Sequence, residues 1–203
     1  MKLTQSFVFS VAAGDASLYE LRIIFKIVEF AQPVLKGLYL AQNLTQLSHN
    51  YDNVHIKLPV SSLVADGTHN YDVVRAACRN LLTKVYEVWD DSNQSYFATP
   101  LIYNFYTQRG EGILHFYVAR RVFDAILDFR RGYCQFELNI ANSIKSANAT
   151  RLYILMCSQP APISFSIDYL KKMFGVQNKY KQTRDFIKRV IEPSRRELEA
   201  IHV

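Results

Sequence analysis

Apolar side chains near the start of the chain recur with the period of a helix. Six of them, spaced at about 3.6 residues, predict an amphipathic helix over Leu18–Leu35. They are Leu18, Leu21, Ile24, Phe25, Val28 and Phe30. Ser17 and Glu20 have the spacing of a capping box at the start of this helix. Pro33 and Gly37 are expected to end it.

The rest of the chain alternates between helical patterns and runs of β-branched and aromatic residues. Further helices are predicted over Tyr71–Tyr86, Val122–Phe129, Ser143–Cys157 and Ile167–Phe174, and from about Asn178 onward. Strands are predicted over His55–Leu58, Val85–Trp89, Tyr96–Thr107, Ile113–Val118 and Ile163–Phe165. The loop from Arg109 to Gly112 is short and contains two glycines, so it is typical of a β-hairpin.

Two segments of the chain share one order of elements and one pattern of residues. The matched positions are Ile56 with Ile163, Leu63 with Leu170, Tyr71 with Tyr180, Arg75 with Arg184, Arg79 with Lys188, Leu81 with Val190, and Leu82 with Ile191. Helix, short strand, helix, turn, basic helix and hairpin is the order of a winged helix. We therefore predict an α+β protein of two tandem winged-helix domains, over residues 1–140 and 141–203.

The composition excludes several classes of protein. No apolar run approaches the roughly 18–20 residues that span a bilayer. Polar residues interrupt the apolar stretch after Lys2, so no signal peptide is expected. Cys78, Cys134 and Cys157 lie far apart and lack metal-ligand spacing. We expect reduced cysteines, no metal or other cofactor, no membrane contact and a cytoplasmic location.

Positive charge is concentrated at the end of the chain. The net charge is +6. Residues 171–203 contain nine basic and four acidic residues, whereas the other 170 residues contain 15 and 14. A localised basic patch of this kind is typical of a protein that binds a polyanion such as nucleic acid.

The predicted last helix places its cations on one face. At about 100° per residue, Lys181, Arg184, Lys188 and Arg195 fall within an arc of roughly 60°. Such a helix can lie in the major groove of duplex DNA, where Arg and Lys reach guanine. The opposite face, which is expected to be buried, consists of Thr183, Phe186, Ile187, Val190 and Ser194. Pro193 is expected to kink the helix or to end it near Glu192.

Other polar residues near this stripe complete the predicted DNA interface. Gln182 can read adenine, and Lys179 and Arg189 suit phosphate contacts. In the first domain the matched cations Arg75 and Arg79 are candidates for DNA binding. Arg109, at the hairpin tip, is a candidate for a phosphate contact.

Two runs of residues resemble a known family. Ser146 followed by residues 150–155 is similar to the S-x-x-x-x-R-L-Y-x-L helix of the plasmid replication initiators of the RepB (Rep_3) type. Residues 179–193 are similar to the motif Y-x-x-x-x-D-F-K-R-R-V-L-E-P of that family, and Glu197 matches the glutamate that follows it. Two features depart from the family pattern. Ile187 replaces a usual basic residue, and the chain stops at Val203, where the family adds a last hairpin.

The resemblance implies two winged-helix domains, the second without its final hairpin. It implies binding to direct repeats (iterons) of a plasmid origin, replication initiation and copy-number control. A monomer would initiate, and a homodimer through the first domain would repress. The partners would be double-stranded DNA and host replication proteins such as a helicase or initiator. Lys181, Gln182, Arg184, Lys188 and Arg189 would face DNA, whereas Asp185 and Phe186 would be structural.

Enzymatic activity is not expected. A rolling-circle initiator needs a His-hydrophobic-His metal pair, which the histidines at 49, 55, 69, 115 and 202 do not form. The motifs of P-loop nucleotide hydrolases, serine hydrolases and zinc proteases are not present in the sequence. His115 is interpreted as a structural strand residue. Two other functions fit the same fold. One is a transcriptional regulator that binds an operator as a dimer, and the other is a protein-interaction module.

Overall fold

The structure, a computed structural model, describes most of the chain in two units. The described residues are 1–6, 9, 15–41, 53–64, 71–90, 94–108, 110–129, 132–158 and 164–201, without the side chains of 34–41, 88–90 and 95. One unit comprises Met1–Phe25 and Asp128–Val203, and the other comprises Lys26–Leu127. The domain limits at residue 140 remain a prediction.

The helices and strands follow one another in this order. They are β1 (Lys2–Ser6), α1 (Leu18–Ala41), β2 (Val54–Pro59), a 3-10 turn (Val60–Ser62), α2 (Tyr71–Thr83), β3 (Val85–Asp90), β4 (Ser95–Pro100), β5 (Tyr103–Thr107), β6 (Ile113–Val118), α3 (Arg120–Ile126), β7 (Tyr133–Glu137), α4 (Leu138–Ser143), α5 (Ala147–Cys157), α6 (Ile167–Met173), α7 (Thr183–Phe186), a π turn (Ile187–Ile191) and α8 (Glu192–Ala200). We call the continuous run of α7, the π turn and α8 the C-terminal helix.

Helix α1 begins with the predicted capping box. The Glu20 N–H donates to Ser17 Oγ and the Ser17 N–H donates to Glu20 Oε2, each at 3.3 Å. The predicted end at Pro33 is wrong, because the helix continues to Ala41 with the proline inside it. Val28 and Ala31 are fully buried in the turns before the proline. This packing offsets the hydrogen bond that a proline removes from a helix.

The first unit pairs the start of the chain with a strand far along it. β1 and β7 are antiparallel, with Lys2 opposite Glu137 and Ser6 opposite Tyr133. Local patterning did not predict β1, because its pairing partner lies about 130 residues away. Leu3 and Phe136 are both buried, and the Phe136 ring lies 5.2 Å from that of Phe25.

Helix α5 carries the first resemblance motif, and its side chains join several parts of the first unit. Ser146 caps its start by accepting from the Ala149 N–H. The buried guanidinium of Arg151 donates to the Ala16 carbonyl, just before α1. Burial lowers the pKa of Arg151, and the nearby Asp15 and Glu20 oppose this shift. The Tyr153 hydroxyl accepts from the Glu137 N–H at 2.9 Å.

Glu197 of the C-terminal helix also caps α5. Its Oε1 accepts hydrogen bonds from the Lys145 N–H at 2.6 Å and the Ser146 N–H at 3.2 Å. A carboxylate at a helix N-terminus satisfies free N–H groups and interacts favourably with the helix dipole. Glu197, the glutamate that follows the second motif, therefore joins the C-terminal helix to the start of α5.

The second unit contains a three-stranded sheet and a hairpin. β6 lies between β2 and β5, all antiparallel, and β3 pairs with β4. Helix α2 packs against β4 and β5. The β5–β6 turn forms the predicted hairpin, in which Gly110 and Gly112 have φ values of 88° and 62°. The Gly112 carbonyl accepts from the Val60 N–H at 2.9 Å, which ties the turn of this hairpin to the residue that follows β2.

Several predicted elements need correction. The run Tyr96–Thr107 forms two strands. The helix predicted over Ser143–Cys157 begins at Ala147, as α5, and the separate short helix α4 ends at Ser143. Helix α2 ends at Thr83, because β3 starts at Val85. Ile163 lies outside the described residues, and Ser164 and Phe165 are not in a strand.

The three cysteines are free in the structure. Cys78 and Cys134 are buried, Cys157 is half-buried, and all three are free thiols. Burial raises the pKa of Cys78 to about 12. Among the described residues, no helix has the length and apolarity needed to cross a bilayer.

We expect Glu197→Ala to lower the free energy of unfolding by about 1 kcal/mol, because two N–H groups at the start of α5 lose their acceptor. Urea denaturation measures this change. The control is Glu199→Ala, which removes an exposed carboxylate that pairs with Arg195 in the same helix. Its effect should stay within about 0.5 kcal/mol. Equal losses for the two variants would contradict the capping role.

Candidate nucleic-acid interface

The C-terminal helix starts later than its sequence pattern predicts. It begins at Thr183 and not near Asn178, because Gln182 is extended, with φ −93° and ψ 134°, and serves as the N-cap. The Gln182 carbonyl accepts from the Asp185 and Phe186 N–H groups. Lys179, Lys181 and Gln182 therefore lie in the turn before the helix, and all three side chains are exposed.

A buried ammonium group holds that turn. Lys171, at the end of α6, is 8% exposed and donates from Nζ to the Tyr180 carbonyl at 2.9 Å. The C-cap of α6 at Phe174 and the positive φ of Gly175 turn the chain back toward it. Sequence reasoning missed this anchoring role, since no local pattern distinguishes Lys171 from Lys172.

The apolar side of the C-terminal helix packs into a small core. Phe186 and Val190 are buried with Leu155, Met173 and Phe174. The Phe186 ring lies edge-on to Phe174 at 6.0 Å. The predicted structural role of Phe186 agrees with this position.

The exposed side of the helix is basic in its first half. Its exposed residues are Thr183, Arg184, Ile187, Lys188 and Arg189. The predicted buried face is thus correct for Phe186, Val190 and Ser194, and wrong for Thr183 and Ile187. Phe186 and Val190 are the residues of this helix that are buried in this small core, and Ile187 lies on the exposed side.

The π turn changes the phase of the helix. The Glu192 N–H bonds to the Ile187 carbonyl five residues back, so this turn holds one residue more than an α turn. Pro193 follows at the start of α8, and the helix neither ends nor loses its continuity there. A constant 100° per residue therefore does not describe the whole helix, and the prediction that four cations share one face is wrong. Of these four, only Arg184 and Lys188 lie in the helix before the π turn is complete. Lys181 precedes the helix, and Arg195 follows the π turn.

Ion pairs distinguish the two halves of the C-terminal helix. Arg195 pairs with Glu199 at 3.4 Å, and Arg196 pairs with Glu192 at 3.9 Å. Within the described part of the chain, no carboxylate lies within salt-bridge distance of Arg184 or Lys188. The positive charge of the first half is therefore less compensated than that of the second half.

The second unit, whose residues belong to the predicted first domain, has a basic helix of its own. Arg75 and Arg79 of α2 are both exposed, and Arg75 pairs with Asp72 at 3.3 Å. The matched positions of the two basic helices have the same exposure. Arg75 and Arg79 correspond to the exposed Arg184 and Lys188, and Leu81 is buried like Val190. Arg109 lies outside the described residues.

Two histidines lie on the sheet of the second unit. His115 is 7% exposed, and its Nδ1 lies 3.3 Å from His55 Nε2, within hydrogen-bond distance. Partial burial and the neighbouring charges of Lys57 and His115 lower the pKa of His55. Among the described residues, no group of three or more His, Cys, Asp or Glu side chains could hold a metal ion.

These features define a class of protein: two winged-helix domains, each with an exposed basic helix. The chain belongs to the initiator replication protein family. The family model for the first winged-helix domain, WH1, matches residues 2–157, and that for the second, WH2, matches residues 166–202. The predicted family and the tandem winged-helix fold are thereby confirmed.

A solved structure has a similar fold. It is the crystal structure of the Pi initiator protein in complex with iteron DNA, with a TM-score of 0.68 and 13% sequence identity. The similarity covers 98% of this chain and 86% of that one. No curated protein matches the sequence.

We expect Lys171→Met to destabilise the fold by about 1–3 kcal/mol, because the Tyr180 carbonyl loses a charged donor. Thermal or urea unfolding measures the loss. Lys172→Met is the matched control, since Lys172 is the adjacent residue of the same helix but is exposed. It should change stability by no more than about 0.5 kcal/mol. A result in which Lys172→Met costs as much would show that the Lys171 contact does not stabilise the turn.

Proposed function

We propose that the protein binds direct repeats of duplex DNA in a plasmid origin and thereby initiates replication and controls copy number. Membership of the initiator family and the basic C-terminal helix support this proposal. The similar fold of the Pi initiator, solved with iteron DNA, supports the choice of repeated sites.

The observation that carries the proposal is the exposed pair Arg184 and Lys188, one helical turn apart on a helix anchored by Phe186 and Val190. An α-helix fits the major groove, and Arg or Lys donates there to guanine O6 and N7. Cations without carboxylate partners can make such contacts without first breaking an ion pair.

Residues beside this pair are proposed to position the helix on the backbone. Lys179, Lys181 and Gln182 lie in the exposed turn before the helix, and Arg189 lies next to Lys188. Lys179, Lys181 and Arg189 suit phosphate contacts, which give affinity with little sequence information. Gln182 can donate to a phosphate or read adenine. Arg195 is a weaker candidate because it pairs with Glu199.

The first domain is proposed to add a second contact through Arg75, Arg79 and Arg109. We further propose that the protein works in the cytoplasm by binding and recruitment, without a catalytic step of its own. Its partners would be host replication proteins such as a helicase or initiator. A homodimer through the first domain would act in repression.

We expect Arg184→Ala combined with Lys188→Ala to reduce the preference for the repeat over random duplex by at least tenfold, since each good base contact contributes about 1–3 kcal/mol. Competition binding with the direct repeat of its own origin measures this preference.

The control for that variant removes the same charge elsewhere. Lys2→Ala combined with Lys57→Ala changes two exposed lysines outside the proposed interface. This control should bind more weakly but keep its preference for the repeat. If the wild type binds the repeat and random duplex equally, the proposed function is wrong. If both variants lose preference equally, the assignment of Arg184 and Lys188 is wrong.

Residues that contact phosphates should affect the salt dependence of binding and not the preference for the repeat. Lys179→Ala combined with Arg189→Ala should make the negative slope of log affinity against log salt shallower by about 1.8, because each phosphate contact contributes about 0.9 to its magnitude. Binding to the repeat and to random duplex should weaken alike. A salt titration on both duplexes gives the result. An unchanged slope with lost preference would assign these two residues to base reading instead.

A further inference from the structure

Ile187 is an apolar side chain on the basic face of the C-terminal helix. It is 38% exposed, whereas Phe186, Val190 and Leu198 of the same helix are at most 2% exposed. Among the described side chains of this helix it is the one large apolar group in the exposed class. Ile187 is not a member of the core cluster on which this helix packs.

A single exposed apolar residue on a protein surface is ordinary. The residues around Ile187 therefore have to indicate whether it has a binding role. Thr183 and Arg184 lie one turn before Ile187, and Lys188 follows it, and all three are exposed. A β-branched residue in a solvent-facing helix position has lower helix propensity than Arg or Lys, and Ile187 is less buried than the apolar residues that anchor the helix. Ile187 also opens the π turn, a distortion often found at functional sites.

Ile187 is thus an exposed apolar side chain beside the two cations proposed to read guanine, three residues after Arg184 and next to Lys188. The major groove offers one apolar group to such a side chain, the C5-methyl of thymine. We infer that Ile187 contacts the C5-methyl of a thymine in each repeat and specifies that base. This inference rests on the proposed function, and it adds that the thymine lies beside the bases read by Arg184 and Lys188.

Ile187 and the neighbouring cations would contribute to DNA binding in different ways. An isoleucine at this position does not add to the salt-dependent attraction to phosphate, so its contribution is to sequence preference. Contact between one methyl group and an aliphatic side chain corresponds to about a fourfold change in affinity. A lysine or arginine in its place would strengthen binding to all duplexes and would not recognise the methyl group.

The test replaces the thymines of the direct repeat by deoxyuridine, one at a time, which removes only the methyl group. Competition binding of the full chain to each duplex is measured for the wild type and for Ile187→Ala. The wild type should lose about fourfold at one position. Ile187→Ala should bind the thymine and uracil duplexes equally at that position. Ile187→Val, which keeps two methyl groups, should retain most of the discrimination.

Met156→Ala is the matched control, because Met156 is a large apolar residue of α5 that is 50% exposed. It should discriminate between thymine and uracil as the wild type does. Thermal unfolding of each variant verifies that the fold is intact. A wild type that prefers the repeat but tolerates uracil at every position overturns the inference and leaves the proposed function standing. Discrimination that persists in Ile187→Ala also overturns it. A wild type without preference for the repeat overturns both.

Discussion

The cap that Glu197 places on α5 is the contact on which the orientation of the C-terminal helix depends. Two backbone N–H groups at the start of α5 find their acceptor on α8, and the apolar side of α7 and the π turn packs on Leu155 of the same helix. A polar contact near one end and an apolar contact near the other fix both the rotation and the position of the helix. The cations on its outer face are therefore presented by a rigid support.

The two resemblance motifs divide into supporting and exposed residues. Arg151 and Tyr153 hold α5 to the rest of its unit through hydrogen bonds to backbone groups, and Ser146 caps the start of α5. Phe186, Val190 and Glu197 hold the C-terminal helix to α5 and its surroundings. The exposed residues within this run, such as Arg184 and Lys188, have no such role. A resemblance based on these motifs thus reports the fold more strongly than it reports the bases that the helix would read.

Charge is distributed along the C-terminal helix in a way that suits a polyanion. The second half balances Arg195 and Arg196 with Glu199 and Glu192, as an ordinary solvated helix does. The first half concentrates cations around Ile187. Repulsion between them costs folding free energy, which the buried Phe186 and Val190 offset. Bound DNA would remove this repulsion.

The sequence by itself determined the elements with local causes. The capping box at Ser17, the hairpin with Gly110 and Gly112, and the concentration of charge after Lys171 are all readable from neighbouring residues. The pairing of β1 with β7 is not readable in this way, because it joins residues from opposite parts of the chain. The helical period also predicted that Phe186 and Val190 are buried. Only the tertiary structure decided that Thr183 and Ile187 lie outside, because Lys171 fixes the turn before the helix and the packing of Phe186 and Val190 sets which side faces the core.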